Sequence, residues 1–190
     1  MSDKRIEKEY DEIKVDKTGG FQIKKKGLKH YQCRLDGPMD SPYQEGHFFI
    51  DIKIPVNYPF SPPLMQFITK IWHPNISSVT GAICLDILKS EWTPALTIRT
   101  ALLSIQALLS APEPNDPQDA MVAQQYKSNY REFEKKAKNW VETFAKVKDF
   151  AADKEVKEVQ KLMEMGFDRE LALSTLEKND WDVQKSLEVL

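Results

Sequence analysis

The sequence is poor in the residues that build disulfide frameworks and zinc sites. Among its 190 residues there are two cysteines, Cys33 and Cys84, and three histidines, His30, His47 and His73. Two cysteines are too few for a disulfide scaffold, and these residues show no paired spacing of metal ligands. We therefore expect a reducing compartment, no metal site and no cofactor, and each cysteine needs its own explanation.

The chain also lacks an excess of one charge and any long apolar segment. Lysine and arginine number 27 against 29 acidic residues, a formal net charge of −2, so no strong field draws the whole molecule to nucleic acid or a membrane. No run approaches the ~18 apolar residues of a membrane span, and residues 1–7 form no apolar signal sequence. We expect a monomer in the cytoplasm, with the nucleus also open, whose partners are proteins.

What is present indicates two folded units. Hydrophobic residues make up 41% and charged residues 29% of the chain, which is a globular balance. A chain of this length suits one domain of roughly 150 residues and a small remainder. Residues 149–155 are charged and contain no proline or glycine, as expected of a short, fairly stiff connection. We predict a first domain over residues 1–150 and a small three-helix domain over residues 154–190.

Two kinds of apolar periodicity organise the first domain. Apolar residues recur at helical spacing over residues 2–14, 98–110, 119–128 and 130–148, which predicts four helices. Residues 21–68 alternate between polar and apolar in runs separated by glycine and proline, which predicts antiparallel strands. The expected fold class is α+β, an antiparallel meander sheet packed with helices. The apolar stripe of the last helix consists of Phe133, Ala137, Trp140, Phe144 and Val147.

The two cysteines fall in different contexts. Cys33 shares a predicted strand face with Tyr31 and Leu35, so we interpret it as a small buried hydrophobic residue without chemistry. Cys84 lies in residues 71–96, an irregular segment rich in turn formers, and long irregular segments inside compact domains are usually functional. A lone cysteine is nevertheless more often a packing residue, so its surroundings must decide.

Two common cysteine-dependent chemistries fit Cys84 poorly. A cysteine protease needs a histidine base oriented by a third residue, and nothing around His73 or elsewhere supplies such a set. A cysteine phosphatase needs an arginine shortly after the cysteine in a phosphate-binding loop, and residues 85–91 contain none. Both classes of enzyme therefore fit this sequence poorly.

Five ordered motifs give the sequence a specific resemblance. They are His73-Pro74-Asn75, Cys84 nine positions after that asparagine, Trp92, Tyr58-Pro59-Phe60 upstream, and Pro114-Asn115-Asp116-Pro117 downstream. In this order and spacing, residues 4–148 resemble the ubiquitin-conjugating enzyme family, which implies that family's fold and activity. The rigid, proline-rich loop that carries Phe60 is expected at the surface.

The resemblance implies a role for each motif residue. Cys84 would accept ubiquitin as a thioester from the activating enzyme and lose it to a lysine amine. Asn75 would steady the tetrahedral oxyanion, directly or by ordering the adjacent loop. Asp116 would position the incoming lysine, and His73 and Pro74 would build the turn that aims Asn75.

The resemblance also implies partner surfaces. Ubiquitin, the activating enzyme, ubiquitin ligases of the RING type and protein substrates are the expected partners. The residues expected to dock the ligase and the activating enzyme are Lys4, Arg5, Phe60, Pro94 and Ala95. Leu103 would pack against the ubiquitin carried as a thioester, although it also lies on an apolar helix where core packing is an equal alternative.

The last 37 residues or so resemble a ubiquitin-associated domain. Met165-Gly166-Phe167 would lie between its first two helices and residues 182–190 would form the third, with Val189 and Leu190 completing a ubiquitin-binding patch. The predicted core of this unit is Leu162, Leu173, Leu176, Trp181, Val183 and Leu187. The combination points to enzymes that build ubiquitin chains of the type that marks proteins for the proteasome. Two alternatives are kept open. One is a conjugating enzyme for another ubiquitin-like modifier, and the other is a ubiquitin-binding adaptor in which Cys84 has no catalytic role.

Overall fold

The computed structural model describes residues 2–16, 19–147, 153–179 and 182–189. The chain divides into two compact units, residues 1–147 and 148–190. The helices of the first unit are α1 (Ser2–Val15), α2 (Ile98–Ser110), α3 (Ala120–Ser128) and α4 (Tyr130–Phe144). Its strands are β1 (Phe21–Gly27), β2 (His30–Asp36), β3 (His47–Lys53) and β4 (Leu64–Phe67), and a short 3-10 helix spans Asp86–Leu88.

The four strands form one antiparallel sheet in the order β1-β2-β3-β4. Cys33 pairs with Ile23 on one side and Ile50 on the other, so the apolar residues of neighbouring strands face the same core. Cys33 is fully buried, and this burial raises the pKa of its thiol, which suits a packing residue. The predicted α+β meander is confirmed.

Helix α2 begins and ends where the periodicity predicts. Thr97 caps it: its hydroxyl accepts a hydrogen bond from Thr100 N at 3.2 Å, and the Thr100 hydroxyl accepts one from Thr97 N at 2.8 Å. This reciprocal pair satisfies two backbone donors at the start of the helix. The buried face of α2 consists of Ile98, Ala101, Leu102, Ile105, Leu108 and Leu109.

Helix α4 is shorter than predicted, because it ends at Phe144 and not at residue 148. The carbonyl of Ala145 accepts a hydrogen bond from His47 N at 2.7 Å, so the backbone leaves the helix to bond the start of β3. The stripe was also partly misassigned. Val141 and Ala145 are buried, whereas Trp140 and Phe144 are only half-buried.

The second unit contains α5 (Asp153–Glu164), α6 (Arg169–Lys178) and α7 (Val183–Leu187). Its buried apolar residues are Val159, Leu162, Ala172 and Leu176. Leu162 and Leu176 were predicted, but Leu187 is 37% exposed, because the five-residue α7 presents Ser186 to the interior instead. Of the predicted connection at residues 149–155, residues 153–155 belong to α5 instead. Residues 149–152, the side chain of Leu173, and Trp181 lie outside the described residues.

Within the described ranges, no helix is long and apolar enough to cross a membrane. The same ranges contain no group of three histidine, cysteine, aspartate or glutamate side chains that is placed to hold a metal ion.

Candidate active site

Gly81 sets the direction of the segment that carries Cys84. Its φ is +75°, a conformation that glycine adopts without strain. A Cβ atom at this position would lie 2.0 Å from the carbonyl oxygen of Phe67, and the carbonyl of Gly81 accepts a hydrogen bond from Phe67 N at 2.9 Å. The backbones of β4 and this segment therefore approach more closely than any side chain at residue 81 would allow.

Backbone pairing then holds the next three residues in place. Ala82 bridges to Gln66 of β4, and Ile83 bridges to Ile76. Cys84 N donates a hydrogen bond to the carbonyl oxygen of Asn75 at 2.8 Å. Cys84 itself is partly exposed, in contrast to the buried Cys33, so of the two thiols it is the accessible one.

The Asn75 side chain is buried and forms hydrogen bonds with the loop between α2 and α3. It is 1% exposed, and its Nδ2 donates to the carbonyl oxygens of Glu113 and Asp116, each at 2.9 Å. Its Oδ1 accepts from Glu113 N at 2.9 Å. An amide nitrogen has two hydrogens, so neither is free to point at Cys84. Of the two roles considered for Asn75, this geometry fits the ordering of the loop.

Asp116 lies on that loop with its carboxylate next to the cysteine. The Cys84 thiol donates to Oδ2 of Asp116 at 3.5 Å, and both groups face solvent. The loop is also held by the carbonyl of Pro74, which accepts hydrogen bonds from the backbone of Gln118 and Asp119 at 2.9 Å each. The sequence motifs around residues 75 and 116 thus meet at the Cys84 sulfur.

Lys89 is a neighbour of the cysteine that the sequence reasoning missed. Its Nζ lies 3.1 Å from the Cys84 sulfur, because the 3-10 helix Asp86–Leu88 turns the chain back on itself. An ammonium group attracts a thiolate more strongly than a thiol, so Lys89 can steady the sulfur when it attacks and when it leaves. Its only sequence signal is a basic residue five positions after the cysteine.

His73 is buried and supports the turn. Its Nε2 donates to the carbonyl oxygen of Leu108 at 3.0 Å, and its Nδ1 accepts from Asn75 N at 3.0 Å. Burial lowers the pKa of His73 to about 4, against the weaker opposing effect of the Leu108 hydrogen bond. The imidazole is therefore neutral at physiological pH, and both of its nitrogens are occupied.

Comparison with known proteins agrees with this arrangement. A family model described as ubiquitin-conjugating enzyme matches residues 5–141. Ubiquitin-conjugating enzyme E2 K of Homo sapiens is 47% identical over 191 residues, covering 98% of this chain and 95% of that protein. Ubiquitin-conjugating enzyme E2 27 of Arabidopsis thaliana is 49% identical, covering 98% and 96%. A solved structure of a Plasmodium yoelii ubiquitin conjugating enzyme has a TM-score of 0.72 at 53% identity, covering 76% of this chain and 95% of that one.

The chain belongs to the ubiquitin-conjugating enzyme family. The predicted family is thus confirmed, and the protein transfers ubiquitin through a cysteine thioester. It works with ubiquitin, an activating enzyme, ligases and protein substrates. The E2 domain of a Toxoplasma gondii ubiquitin conjugating enzyme, 53% identical with a TM-score of 0.70, covers 75% of this chain, whereas the relatives E2 K and E2 27 cover the second unit as well.

Two loops of the enzyme carry the residues expected to face ligases. Phe60 is 79% exposed on the loop over residues 55–63, and Pro94 and Ala95 are exposed on the loop over residues 91–97. The indole Nε1 of Trp92 donates to the carbonyl oxygen of Pro59 at 2.8 Å. This bond joins the two loops into one surface.

The other predicted docking residues differ in exposure. Lys4 is exposed on α1, whereas Arg5 is half-buried and bonds Glu9 and the backbone of Leu96 within the protein. Leu103 on α2 is half-buried and packs against the core. Part of the Arg5 side chain is therefore occupied by internal contacts.

The predicted ubiquitin-contact residues of the enzyme's second unit also differ. Met165 is 53% exposed and Val189 is 69% exposed, whereas Phe167 is half-buried against the core. Gly166 has a φ of +97° with open space where a Cβ would lie. Leu190 lies outside the described residues.

The buried, neutral His73 predicts a pH dependence of stability. Its folded pKa of about 4 lies below the ~6.5 of an unfolded chain, so the unfolded state takes up a proton first. The free energy of unfolding should fall as pH drops from about 6.5 towards 4, by about 3 kcal/mol in all at ~1.36 kcal/mol per pH unit. NMR of the imidazole should show His73 neutral down to about pH 5. A titration of His73 near pH 6.5 would contradict this account.

Proposed function

We propose that Cys84 is the cysteine that carries ubiquitin. The observation that carries the proposal is the partly exposed Cys84 sulfur, with a carboxylate oxygen of Asp116 at 3.5 Å and the Lys89 ammonium at 3.1 Å. Cys33 offers no alternative, because it is buried in the sheet. A reactive cysteine needs access and a polar environment, and Cys84 has both.

The reaction then runs in two acyl transfers. The Cys84 thiol loses its proton to solvent, and the thiolate attacks the carbonyl carbon of ubiquitin's thioester on the activating enzyme, whose cysteine leaves as a thiolate. A lysine amine next attacks the new thioester, the Cys84 thiolate leaves, and an isopeptide bond forms as the amine loses a proton to solvent. A thioester is already activated, so the remaining task is to place the amine and to support the tetrahedral intermediate.

In this proposal Asp116 orients the incoming lysine. A carboxylate attracts the ammonium form and accepts a hydrogen bond from the amine, and the Asp116 carboxylate faces solvent beside the sulfur. An opposite charge alone would favour the protonated, unreactive amine. Desolvation in the groove must therefore release the proton, and the contribution of Asp116 is position.

Asn75 acts through Asp116. Its side chain bonds the backbone of Glu113 and Asp116, while its own carbonyl bonds Cys84 N. Asn75 is thus a positioning residue that sets the distance between the sulfur and the carboxylate, and it supplies no direct donor to the oxyanion.

The first test separates the two cysteines. Incubated with activating enzyme, ATP and ubiquitin, the wild type should form a thiol-sensitive adduct, Cys84→Ala should form none, and Cys84→Ser should form a thiol-resistant ester. Cys33→Ala is the matched control and should charge normally, because it removes a sulfur that lies in the core. Normal charging of Cys84→Ala, seen on a non-reducing gel, would refute the assignment of Cys84.

The second test asks whether Asn75 and Asp116 act as one unit. Asn75→Ala and Asp116→Ala should both accept ubiquitin, because charging uses the activating enzyme's thioester and no lysine. Single-turnover discharge to free lysine should slow in both variants, by up to about 10²-fold, the scale of a misplaced reacting group, and Asn75→Ala should lose no more rate than Asp116→Ala.

The double variant distinguishes the two roles of Asn75. If Asn75 only positions Asp116, then Asn75→Ala/Asp116→Ala should discharge no more slowly than Asp116→Ala. Rate losses that multiply would instead indicate an independent oxyanion contact from Asn75.

We further propose that the second unit is a ubiquitin-associated domain that binds ubiquitin through Met165, Gly166, Phe167, Val189 and Leu190. The exposed Met165 and Val189 side chains, and the open backbone at Gly166, support this proposal. Its presence in the same chain as the conjugating unit favours the building of proteasome-directed chains. We also propose that the ligases are of the RING type and that the protein is a monomer of the cytoplasm and nucleus.

The third test uses the full-length protein without activating enzyme, so that only non-covalent binding is measured. Met165→Ala should weaken binding of ¹⁵N-labelled ubiquitin about 5-fold or more, the scale of an apolar contact residue, while the circular dichroism spectrum stays unchanged. Met121→Ala, which alters a methionine 61% exposed in the first unit, is the matched control and should bind as the wild type does. If Met165→Ala and Met121→Ala bind ubiquitin with equal affinity, the proposed ubiquitin-binding patch is wrong.

A further inference from the structure

Helix α1 contains a buried carboxylate at Glu9. Its other acidic residues are exposed, but Glu9 is 4% exposed. Its Oε2 accepts hydrogen bonds from the Tyr58 hydroxyl at 2.6 Å and from Ile98 N at 2.9 Å. Its Oε1 accepts from Nε of Arg5 at 2.8 Å. A buried carboxylate is costly unless such donors surround it, so this arrangement needs all three.

The three donors come from three different elements. Arg5 lies on α1 itself, Tyr58 lies on the loop with Phe60, and Ile98 is the first residue of α2. Backbone N–H groups at the start of a helix have no partner within it, and the helix dipole favours a negative charge there. The hydrogen bonds of Glu9 therefore connect α1 both to the start of α2 and to the ligase-facing loop over residues 55–63.

Arg5 extends this hydrogen-bond network to the ligase-facing loop over residues 91–97. Its Nη2 donates to the carbonyl oxygen of Leu96 at 2.8 Å, and its guanidinium carbon lies 5.5 Å from the centre of the Tyr58 ring. The hydrogen bond to Glu9 raises the pKa of Arg5. A guanidinium can bond two partners at fixed angles, which a lysine ammonium on its flexible stem cannot reproduce.

We propose that Arg5, Glu9 and Tyr58 are positioning residues. Their hydrogen bonds fix the two ligase-facing loops, residues 55–63 and 91–97, relative to each other and to α1. The inference rests on the proposed function, in which Phe60, Pro94 and Ala95 meet the ligase. Arg5 then contributes to ligase recognition through Leu96 and Tyr58, and not as a charge presented to the partner. Such preorganised loops bind without the cost of ordering.

The test is single-turnover discharge to lysine, measured against the concentration of a purified RING domain chosen because it stimulates the wild type. Tyr58→Phe removes one hydroxyl and keeps the ring, and Glu9→Gln removes the charge. Both should raise the half-saturating RING concentration about 3- to 10-fold, the scale of coupled neighbours. The rate at saturating RING and the rate without RING should match the wild type. The double variant should be no worse than Glu9→Gln.

The Arg5→Lys variant distinguishes a positioning role of Arg5 from a direct contact between its charge and the ligase. If Arg5 acts through its two internal partners, lysine cannot replace it, and Arg5→Lys should raise the half-saturating concentration as far as Arg5→Ala does. Recovery of the wild-type value in Arg5→Lys would show a direct docking charge and overturn the inference.

Tyr43→Phe is the matched control for the loss of a buried tyrosine hydroxyl. The Tyr43 hydroxyl donates to the carbonyl oxygen of Trp72 at 2.8 Å in the core, outside both loops, so this variant should keep the wild-type half-saturating concentration. Equal behaviour of Tyr58→Phe and Tyr43→Phe would overturn the inference while leaving the role of Cys84 intact. A wild type that no RING domain stimulates would overturn both the ligase assignment and this inference.

Discussion

The position of the Cys84 sulfur depends on one buried asparagine. The backbone carbonyl of Asn75 accepts a hydrogen bond from Cys84 N. The Asn75 side chain donates two hydrogen bonds to the loop that carries Asp116 and accepts one from it. Buried polar groups in such a network must all be satisfied, since leaving one of them unpaired costs more than one satisfied hydrogen bond contributes on average. The same satisfied bonds that stabilise Asn75 therefore fix two reactive groups that lie 32 residues apart in sequence.

This arrangement suits a reaction that needs placement more than proton transfer. The neutral His73 has both ring nitrogens engaged in the turn, so it cannot take a proton from the incoming amine. Among the described residues, the charged groups that face the sulfur are one carboxylate and one ammonium, both exposed. Charges in contact with water interact weakly, which leaves orientation and desolvation of the amine as the main sources of rate.

The sequence predicted the helices and strands whose apolar residues recur at a regular spacing. It was less informative about contacts between residues that are far apart in the chain. The alternation at Tyr31, Cys33 and Leu35 indicates one sheet face directly, and the helical periodicity over residues 98–110 predicted α2 to the residue. Lys89 reaches Cys84 only because a short 3-10 helix turns the chain, and no periodicity encodes that turn. In the sequence Glu9 resembles the other charged residues of α1, since two of its three donors come from 49 and 89 residues away. The roles of the motif residues came from family resemblance and stay predictions.

Helix α2 joins the two regions that the chemistry and the partners use. At its first residue the N–H of Ile98 bonds Glu9 beside the loops of Phe60 and Ala95. Near its other end the carbonyl of Leu108 accepts a hydrogen bond from His73, in the turn that holds Asn75. A 13-residue helix is about 20 Å long and resists extension, because every interior residue is hydrogen-bonded to the next turn. The loops of Phe60 and Ala95 and the Cys84 site therefore share one rigid support.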